Sequence, residues 1–191
     1  IGAMDAEWIE PENCAKNKVL LFFHGGGFAT GSLETHRALI SWIATYAQVK
    51  AVSIDYRLAP EHQYPSQLED TVAAYKYLLR KKYLPENIVF GGESAGANLV
   101  ASTLIYLRDN EIPLPTSAVL LSPWLDMTAS GKSCEKNHHI DPMVPYHGIK
   151  LWAKNYAGNA SLTNPLVSPL FANLQGLPPI YIQVGECEVL L

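Results

Sequence analysis

Short apolar runs alternate with amphipathic segments along most of the chain. Five runs predict strands, at 19–23, 51–55, 88–90, 117–121 and 180–184, and the continuous apolar run at 19–23 is typical of a parallel strand buried on both faces. Segments with helical character lie between them, at 36–48, at 66–82 and from the third run to about Asp109. This alternation predicts an α/β fold with a mainly parallel, doubly wound sheet and right-handed crossovers.

The segment 66–82 carries the clearest helix signals. Apolar side chains recur at helical spacing from Leu68 to Leu79, and Ser66 with Glu69 has the spacing of a capping box at the N-terminus. Near the start of the chain, Trp8 lies in the one stretch that suggests an edge strand.

Strands and helices stop alternating after the run at 117–121. Residues 127–164, here called the excursion, are mixed in polarity, and 148–156 (GIKLWAKNY) predicts a short amphipathic helix. The excursion is either a lid or cap insertion over a site or a solvent-facing decoration. Its many apolar and aromatic residues favour the lid.

Length and composition indicate one globular domain. A chain of 191 residues can bury a core, and 48% hydrophobic with 17% charged residues is ordinary for a folded protein. Because the chain begins at Ile1 without a methionine and stops just after a strand-like run, we expect a single domain, 1–191, that is incomplete at both ends.

Charge and cysteine content exclude several classes of function. The net charge is −4 and the longest basic cluster is Arg80-Lys81-Lys82, so nucleic acid is not an expected partner. The three cysteines are unevenly spaced, which predicts neither a disulfide framework nor a zinc site. The sequence contains no stretch that predicts a membrane span or a signal peptide.

Two glycine-rich turns carry the candidate chemistry. Gly92-x-Ser94-x-Gly96, between the run at 88–90 and a helical segment, is the pattern of a nucleophile elbow, although such a turn also occurs in other α/β proteins. The sequence His24-Gly25-Gly26-Gly27, here called the glycine loop, follows the run at 19–23. Its N–H groups can approach an anion closely, and a flexible turn is the alternative. Both turns follow strands at the carboxyl edge of the predicted sheet, where such folds bind ligands.

Five motifs together identify a family. They are HGGG at 24–27, YRLAPE at 56–61, GESAG at 92–96, LSPWLD at 121–126 and GLPPIYIQVGECEVLL at 176–191. In this order they resemble the hormone-sensitive-lipase-like group of α/β-hydrolase esterases, and within it carboxylesterases that include monoterpene lactone hydrolases. The resemblance runs from about Val19 to the last residue.

The resemblance implies a serine hydrolase. Ser94 would be the nucleophile that forms an acyl-enzyme, and the N–H groups of Gly26, Gly27 and Ala95 would form the oxyanion hole. Other motif residues would support this machinery without reacting. They are His24, the first residue of its motif rather than a base, Gly25, which shapes the glycine loop, and Gly92 and Gly96 of the elbow.

The triad acid is expected just after the strand that ends at Val184. An ungapped alignment places Cys187 at this position, and one extra residue places Glu188 there, so we favour Glu188 over Glu186. Two aspartates match positions that are structural in the family. They are Asp70 and Asp126, expected to pair with loop groups such as Arg57.

The triad order in this fold is Ser, acid, His, so the base should follow Glu188. All six histidines precede it: His24, His36, His62, His138, His139 and His147. The resemblance therefore implies that the histidine lies beyond the given chain and that the 191 residues alone are inactive. His138, His139 and His147 with Asp141 lack a recognised ligand spacing, so no metal site is predicted.

The expected activity is hydrolysis of small or short-chain acyl esters or lactones, with no cofactor. The alternatives are an inactive hydrolase-fold receptor for small molecules, and an amidase or peptidase on the same fold.

Overall fold

The fold is built on one six-stranded sheet. A computed structural model describes residues 1–2 and 4–191. The strand order is β1-β3-β2-β4-β5-β6; only β1, paired with β3, is antiparallel to its neighbour. The strands are β1 (Ala6–Ile9), β2 (Ala15–Phe23), β3 (Val49–Ile54), β4 (Ile88–Glu93), β5 (Ser117–Leu121) and β6 (Ile180–Gln183). The predicted α/β class and mainly parallel sheet are confirmed, with the edge strand at Trp8.

Helices cover both faces of the sheet. They are α1 (Leu33–Ala47), α2 (Ser66–Arg80), α3 (Ala95–Asp109), α4 (Lys132–Lys136) and α5 (Tyr146–Ala157). The main core lies on the face covered by α2 and α3, and a smaller cluster around Leu20, Phe22 and Ile40 lies under α1. Both faces of β2 are covered over residues 19–23, and this part of the strand is a continuous apolar run rather than an alternating one, whereas residues 16–18 are polar and exposed.

The predicted start of a helix at Ser66 is confirmed, but the capping box predicted there is wrong. Ser66 is the first residue of α2, its N-cap is Pro65, and no side chain caps this end. A capping box is instead present at α1, where the Ser32 hydroxyl accepts from the Thr35 N–H and the Thr35 hydroxyl accepts from the Ser32 N–H. A threonine at the third helical position replaces the usual Glu or Gln, so the expected spacing signal is missing there.

The excursion contributes two helices. The helix expected at 148–156 is confirmed as α5, whereas the five residues of α4 are too few to have a periodic signal. Three side chains of α5, those of Ile149, Ala153 and Tyr156, are fully buried in the main core. The excursion as a lid remains a prediction.

Candidate active site

Ser94 lies at a strained turn between β4 and α3. Its φ is 53° and its ψ is −119°, a conformation that side-chain-bearing residues rarely adopt. A Cβ atom at Gly92 would lie 2.6 Å from the backbone of Gly96, and one at Gly96 would lie 2.0 Å from the carbonyl oxygen of Phe23. Only glycine therefore fits on either side of the serine, which is the structural basis of the elbow motif.

The glycine loop lies beside the elbow, because β2 and β4 are neighbouring parallel strands. Gly26 and Gly27 have φ values of 115° and 63°, and the carbonyl oxygen of Gly26 accepts from the N–H groups of Ala29 and Thr30 in a tight turn. Within the described residues, no group accepts a hydrogen bond from the N–H of Gly26, Gly27 or Ala95. These donors are available to an anion.

A carboxylate that the sequence reasoning missed fastens the glycine loop. Glu93 Oε1 accepts from the N–H of Gly25 and from His36 Nε2, the latter at 2.9 Å. The hydrogen bond to Glu93 outweighs partial burial and raises the pKa of His36 above its ordinary value. In the sequence, the one sign of this role is that Glu93 is an acidic residue next to the nucleophile. Its partners His36 and Gly25 are 57 and 68 residues away, so no local pattern links them to it.

His24 is buried and has a structural position. Its ring stacks on Tyr56 at 4.3 Å between centroids, and Nδ1 donates to the carbonyl oxygen of Gly25 at 2.7 Å. Burial lowers the pKa of His24, so the ring is neutral at physiological pH. The Tyr56 hydroxyl also donates to the backbone carbonyl of His24. These contacts fix the start of the glycine loop.

Glu188 lies on the loop that follows β6, residues 184–191, here called the acid loop. Its Oε1 accepts from the Ser122 hydroxyl and from the N–H of Gly185, both at 2.8 Å. Ser122 follows β5, which lies between β4 and β6, so Ser94, Ser122 and Glu188 lie at the carboxyl ends of three adjacent strands. No donor to Oε2 is found in the described part of the chain, so this oxygen can accept a further hydrogen bond.

The two neighbouring residues that the sequence also offers as the triad acid, Glu186 and Cys187, differ from Glu188 in their surroundings. Glu186 and Cys187 are exposed, whereas Glu188 is half-buried against Ser122. Ser122 was missed by sequence reasoning because it lies 66 residues away from Glu188 in the chain.

Helix α5 forms a wall beside the glycine loop. A Cβ at Gly27 would lie 3.0 Å from the ring of Trp152, and the Tyr156 ring stacks on Phe28 at 3.6 Å with nearly parallel planes. The excursion therefore contacts the loop that presents the candidate oxyanion donors.

Of the two aspartates expected to be structural, Asp70 has the predicted partner. Arg57 donates to both carboxylate oxygens of Asp70 at 2.8–3.1 Å. Asp126 does not bind Arg57; it accepts from the backbone and hydroxyl groups of Thr128 and Ser130. Burial alone would raise the pKa of Asp126, but these donors lower it.

Neither a metal cluster nor a membrane helix is found in the part of the chain that the structure describes. The described residues contain no group of three or more His, Cys, Asp or Glu that could hold a metal ion. The side chain of His147 lies outside them. None of the described helices is long and apolar enough to cross a bilayer.

The model of an alpha/beta hydrolase fold family matches residues 20–191. The chain belongs to this family. It is 37% identical over 190 residues to an acetyl-hydrolase from Streptomyces hygroscopicus, and 31% identical over 189 residues to an arylesterase from Saccharolobus solfataricus. These alignments cover 100% and 94% of this chain, but only 63% and 60% of the relatives. The chain therefore spans about three fifths of their length.

Solved structures identify the branch of the alpha/beta hydrolase fold family. The crystal structure of an esterase from the bacterial hormone-sensitive lipase family is 46% identical, with a TM-score of 0.96 over 98% of this chain and 63% of that one. The crystal structure of EstE5, soaked with p-nitrophenyl butyrate, is 43% identical with a TM-score of 0.97, covering 100% of this chain and 64% of that one. The chain is a hormone-sensitive-lipase-like α/β hydrolase, as its five motifs predicted.

Proposed function

We propose that the protein containing this chain hydrolyses carboxylic esters by serine acyl transfer, with small or short-chain acyl esters or lactones as substrates. The observation that carries the proposal is that Ser94 lies on a strained elbow beside the glycine loop, and that no acceptor for the N–H groups of Gly26, Gly27 and Ala95 is found among the described residues. Relatives named as esterases and acetyl-hydrolases support the same reaction class.

In the proposed reaction, the Ser94 hydroxyl oxygen attacks the ester carbonyl carbon and its proton passes to a histidine base. The carbonyl oxygen becomes an oxyanion that accepts from the Gly26, Gly27 and Ala95 N–H groups, and each such donor typically contributes about 3–4 kcal/mol to lowering the barrier. The C–O bond to the leaving alcohol then breaks as the histidine returns the proton to that oxygen. Water releases the acid from the acyl-enzyme by the same steps.

We assign Glu188 as the acid that orients the histidine. One of its oxygens is held by Ser122 and Gly185, and the other can accept from a ring N–H. Because the order in this fold is Ser, acid, His, we place the base after Leu191 in the full-length protein. The 191 residues alone are then expected to lack turnover.

The excursion is proposed to act as a lid or cap over this site. Its helix α5 contacts the glycine loop through Trp152 and Tyr156, so a substrate bound at Ser94 would meet α5.

The test compares the full-length protein, the 191-residue chain and a Ser94→Ala variant of the full-length protein. We expect the full-length protein to hydrolyse p-nitrophenyl butyrate and to be labelled at Ser94 by a serine-reactive phosphonate. Ser94→Ala should lower turnover by roughly 10⁴-fold or more, because the nucleophile is lost. Ser161→Ala, which removes an exposed serine hydroxyl of the excursion, is the matched control and should leave turnover unchanged.

Three results would contradict the proposal. Binding of small apolar ligands without turnover of any ester would indicate the receptor, and cleavage of anilides in preference to esters would indicate an amidase. Full turnover by the 191-residue chain would refute the placement of the base after Leu191.

A further inference from the structure

The acid loop is held in place by the excursion. The Asn137 side-chain amide donates to the carbonyl oxygens of Glu186 and Glu188, at 3.1 and 2.7 Å. Asp141 Oδ2 accepts from the N–H of Val189 at 2.9 Å. The backbone on both sides of Glu188 is therefore bound by side chains that are about 50 residues earlier in the sequence.

The two clamping side chains are themselves fixed. Asn137 is 1% exposed, caps the C-terminus of α4 and donates its own N–H to the carbonyl oxygen of Ser133. The second oxygen of Asp141, Oδ1, accepts from the N–H groups of Met143 and Val144. Burial alone would raise the pKa of Asp141, but its three N–H donors lower it, so the carboxylate is ionised at neutral pH.

These contacts restrict the backbone that carries the Glu188 carboxylate. Its Oε1 is bound within the acid loop by Gly185 and across the sheet by Ser122, but a side chain can be no better placed than the backbone that carries it. Asn137 and Asp141 bind that backbone on either side of the Cα atom. Catalytic geometry is sensitive at this scale, since a misplacement of about 1 Å can lower a rate by about 100-fold.

We propose that Asn137 and Asp141 are positioning residues that hold the acid loop so that Glu188 can orient the triad histidine. This inference rests on the proposed function, in which Glu188 is the acid. It also gives the first part of the excursion a role separate from that of α5.

The experiment is a double-mutant cycle in the full-length protein with p-nitrophenyl butyrate. Asn137→Ala and Asp141→Ala are measured in the natural background and in a Glu188→Ala background. We expect each to lower kcat by roughly 10-fold to 100-fold with KM little changed, and to have almost no further effect once Glu188 is removed. Asp141→Asn keeps one acceptor oxygen for Val189 but turns its NH2 group toward the N–H groups of Met143 and Val144, so it should recover only part of the rate.

Asn164→Ala is the matched control. Asn164 also lies in the excursion and its side chain also binds a backbone N–H, that of Leu166, but no hydrogen bond from this side chain to the acid loop is found among the described residues. Its rate should stay close to that of the natural protein. Unfolding midpoints for all variants show that the rates refer to folded protein, and two independent clamp residues keep the test decisive if one variant fails to fold.

The possible failures are distinguishable. If Asn137→Ala and Asp141→Ala lower kcat equally in both backgrounds, their role is structural and the inference is overturned while the acid assignment stands. The same holds if Asn164→Ala has an equal effect. If Glu188→Ala itself leaves kcat unchanged, the acid assignment in the proposed function is wrong, and the positioning role fails with it.

Discussion

At the scale of single residues, the glycines of the site are required for different reasons. Gly92 and Gly96 allow the strand and helix of the elbow to pass each other, whereas Gly27 needs both a positive φ and space beside Trp152. A side chain at Gly27 would push the loop or the ring away. If the loop moves, the N–H group of Gly27 that would bind the oxyanion moves with it.

We therefore predict that Gly27→Ala lowers kcat for p-nitrophenyl butyrate by roughly 100-fold to 1,000-fold, the typical effect of losing one oxyanion donor. The Cβ would lie 3.0 Å from the Trp152 ring at a φ of 63°. Steady-state kinetics of the purified full-length variant measure the effect.

Gly176→Ala separates loss of the donor from general strain. Gly176 also has a positive φ, 82°, but the nearest atom to its Cβ is in the side chain of Arg108 at 3.5 Å, away from the elbow. We expect about 1 kcal/mol lower stability and an unchanged kcat. Equal losses of kcat in the two variants would show that Gly27 has no special role.

Individual residues also show what local sequence can reveal. The nucleophile motif and the glycine loop are each a continuous stretch of sequence. Ser94 and Gly25–Gly27 could therefore be proposed as site residues from the sequence alone. The Glu93–His36 and Ser122–Glu188 hydrogen bonds join residues 57 and 66 positions apart, and no local spacing encodes them. Glu188 itself was predicted only through the family resemblance.

At the scale of elements, Glu93 connects three parts of the fold. It lies at the end of β4, binds the glycine loop through Gly25 and binds α1 through His36. Sequence periodicity predicted β4 and α1 as separate elements. The contact between them depends on how α1 packs over the sheet, which periodicity does not specify.

This contact should make stability depend on pH. Because the folded-state pKa of His36 is raised above its ordinary value, the stabilisation from charged His36 is complete below the unfolded pKa and is lost as pH rises through the folded pKa. Burial lowers the pKa of the adjacent His24, which acts in the opposite direction, so the informative quantity is the change on removing Glu93, whose charge favours the protonated form of both histidines and whose hydrogen bond is to His36. We predict that Glu93→Gln lowers the free energy of unfolding more at about pH 5.5 than at about pH 8.5.

Urea denaturation at the two pH values measures this difference, and Glu69→Gln is the matched control. Glu69 binds Arg57, and the hydrogen bond to Asp70 raises the pKa of Arg57, so this guanidinium is charged at both pH values. Glu69→Gln should therefore change the free energy of unfolding by nearly the same amount at the two pH values. An equal loss of stability at both pH values in Glu93→Gln would refute the charged His36–Glu93 pair.

At the scale of the whole molecule, the class of the fold was predictable and the order of its strands was not. Buried apolar runs separated by helices indicate a parallel sheet, and the resemblance indicates the hydrolase family. The antiparallel edge position of β1 and the order β1-β3-β2-β4-β5-β6 depend on contacts between distant elements. The same holds for the excursion. Neither the short helix α4 nor the hydrogen bonds from Asn137 and Asp141 to the acid loop could be predicted from periodicity in the sequence.

The position of β6 leads to a prediction about the 191-residue chain on its own. Within the described sheet, β6 pairs only with β5, and Tyr181 and Ile182 are 61% and 52% exposed. Successive side chains of a strand point to opposite faces, so both faces of this edge strand expose apolar groups, which favours pairing with another chain. We expect the isolated chain to associate with rising concentration, as measured by light scattering after size-exclusion chromatography.

Tyr181→Lys should reduce this association because a charge on an edge strand opposes pairing, whereas Leu174→Lys, at an exposed leucine outside the sheet, should not. A chain that stays monomeric at all concentrations, or one that both lysines affect equally, would show that β6 is not the surface through which it associates.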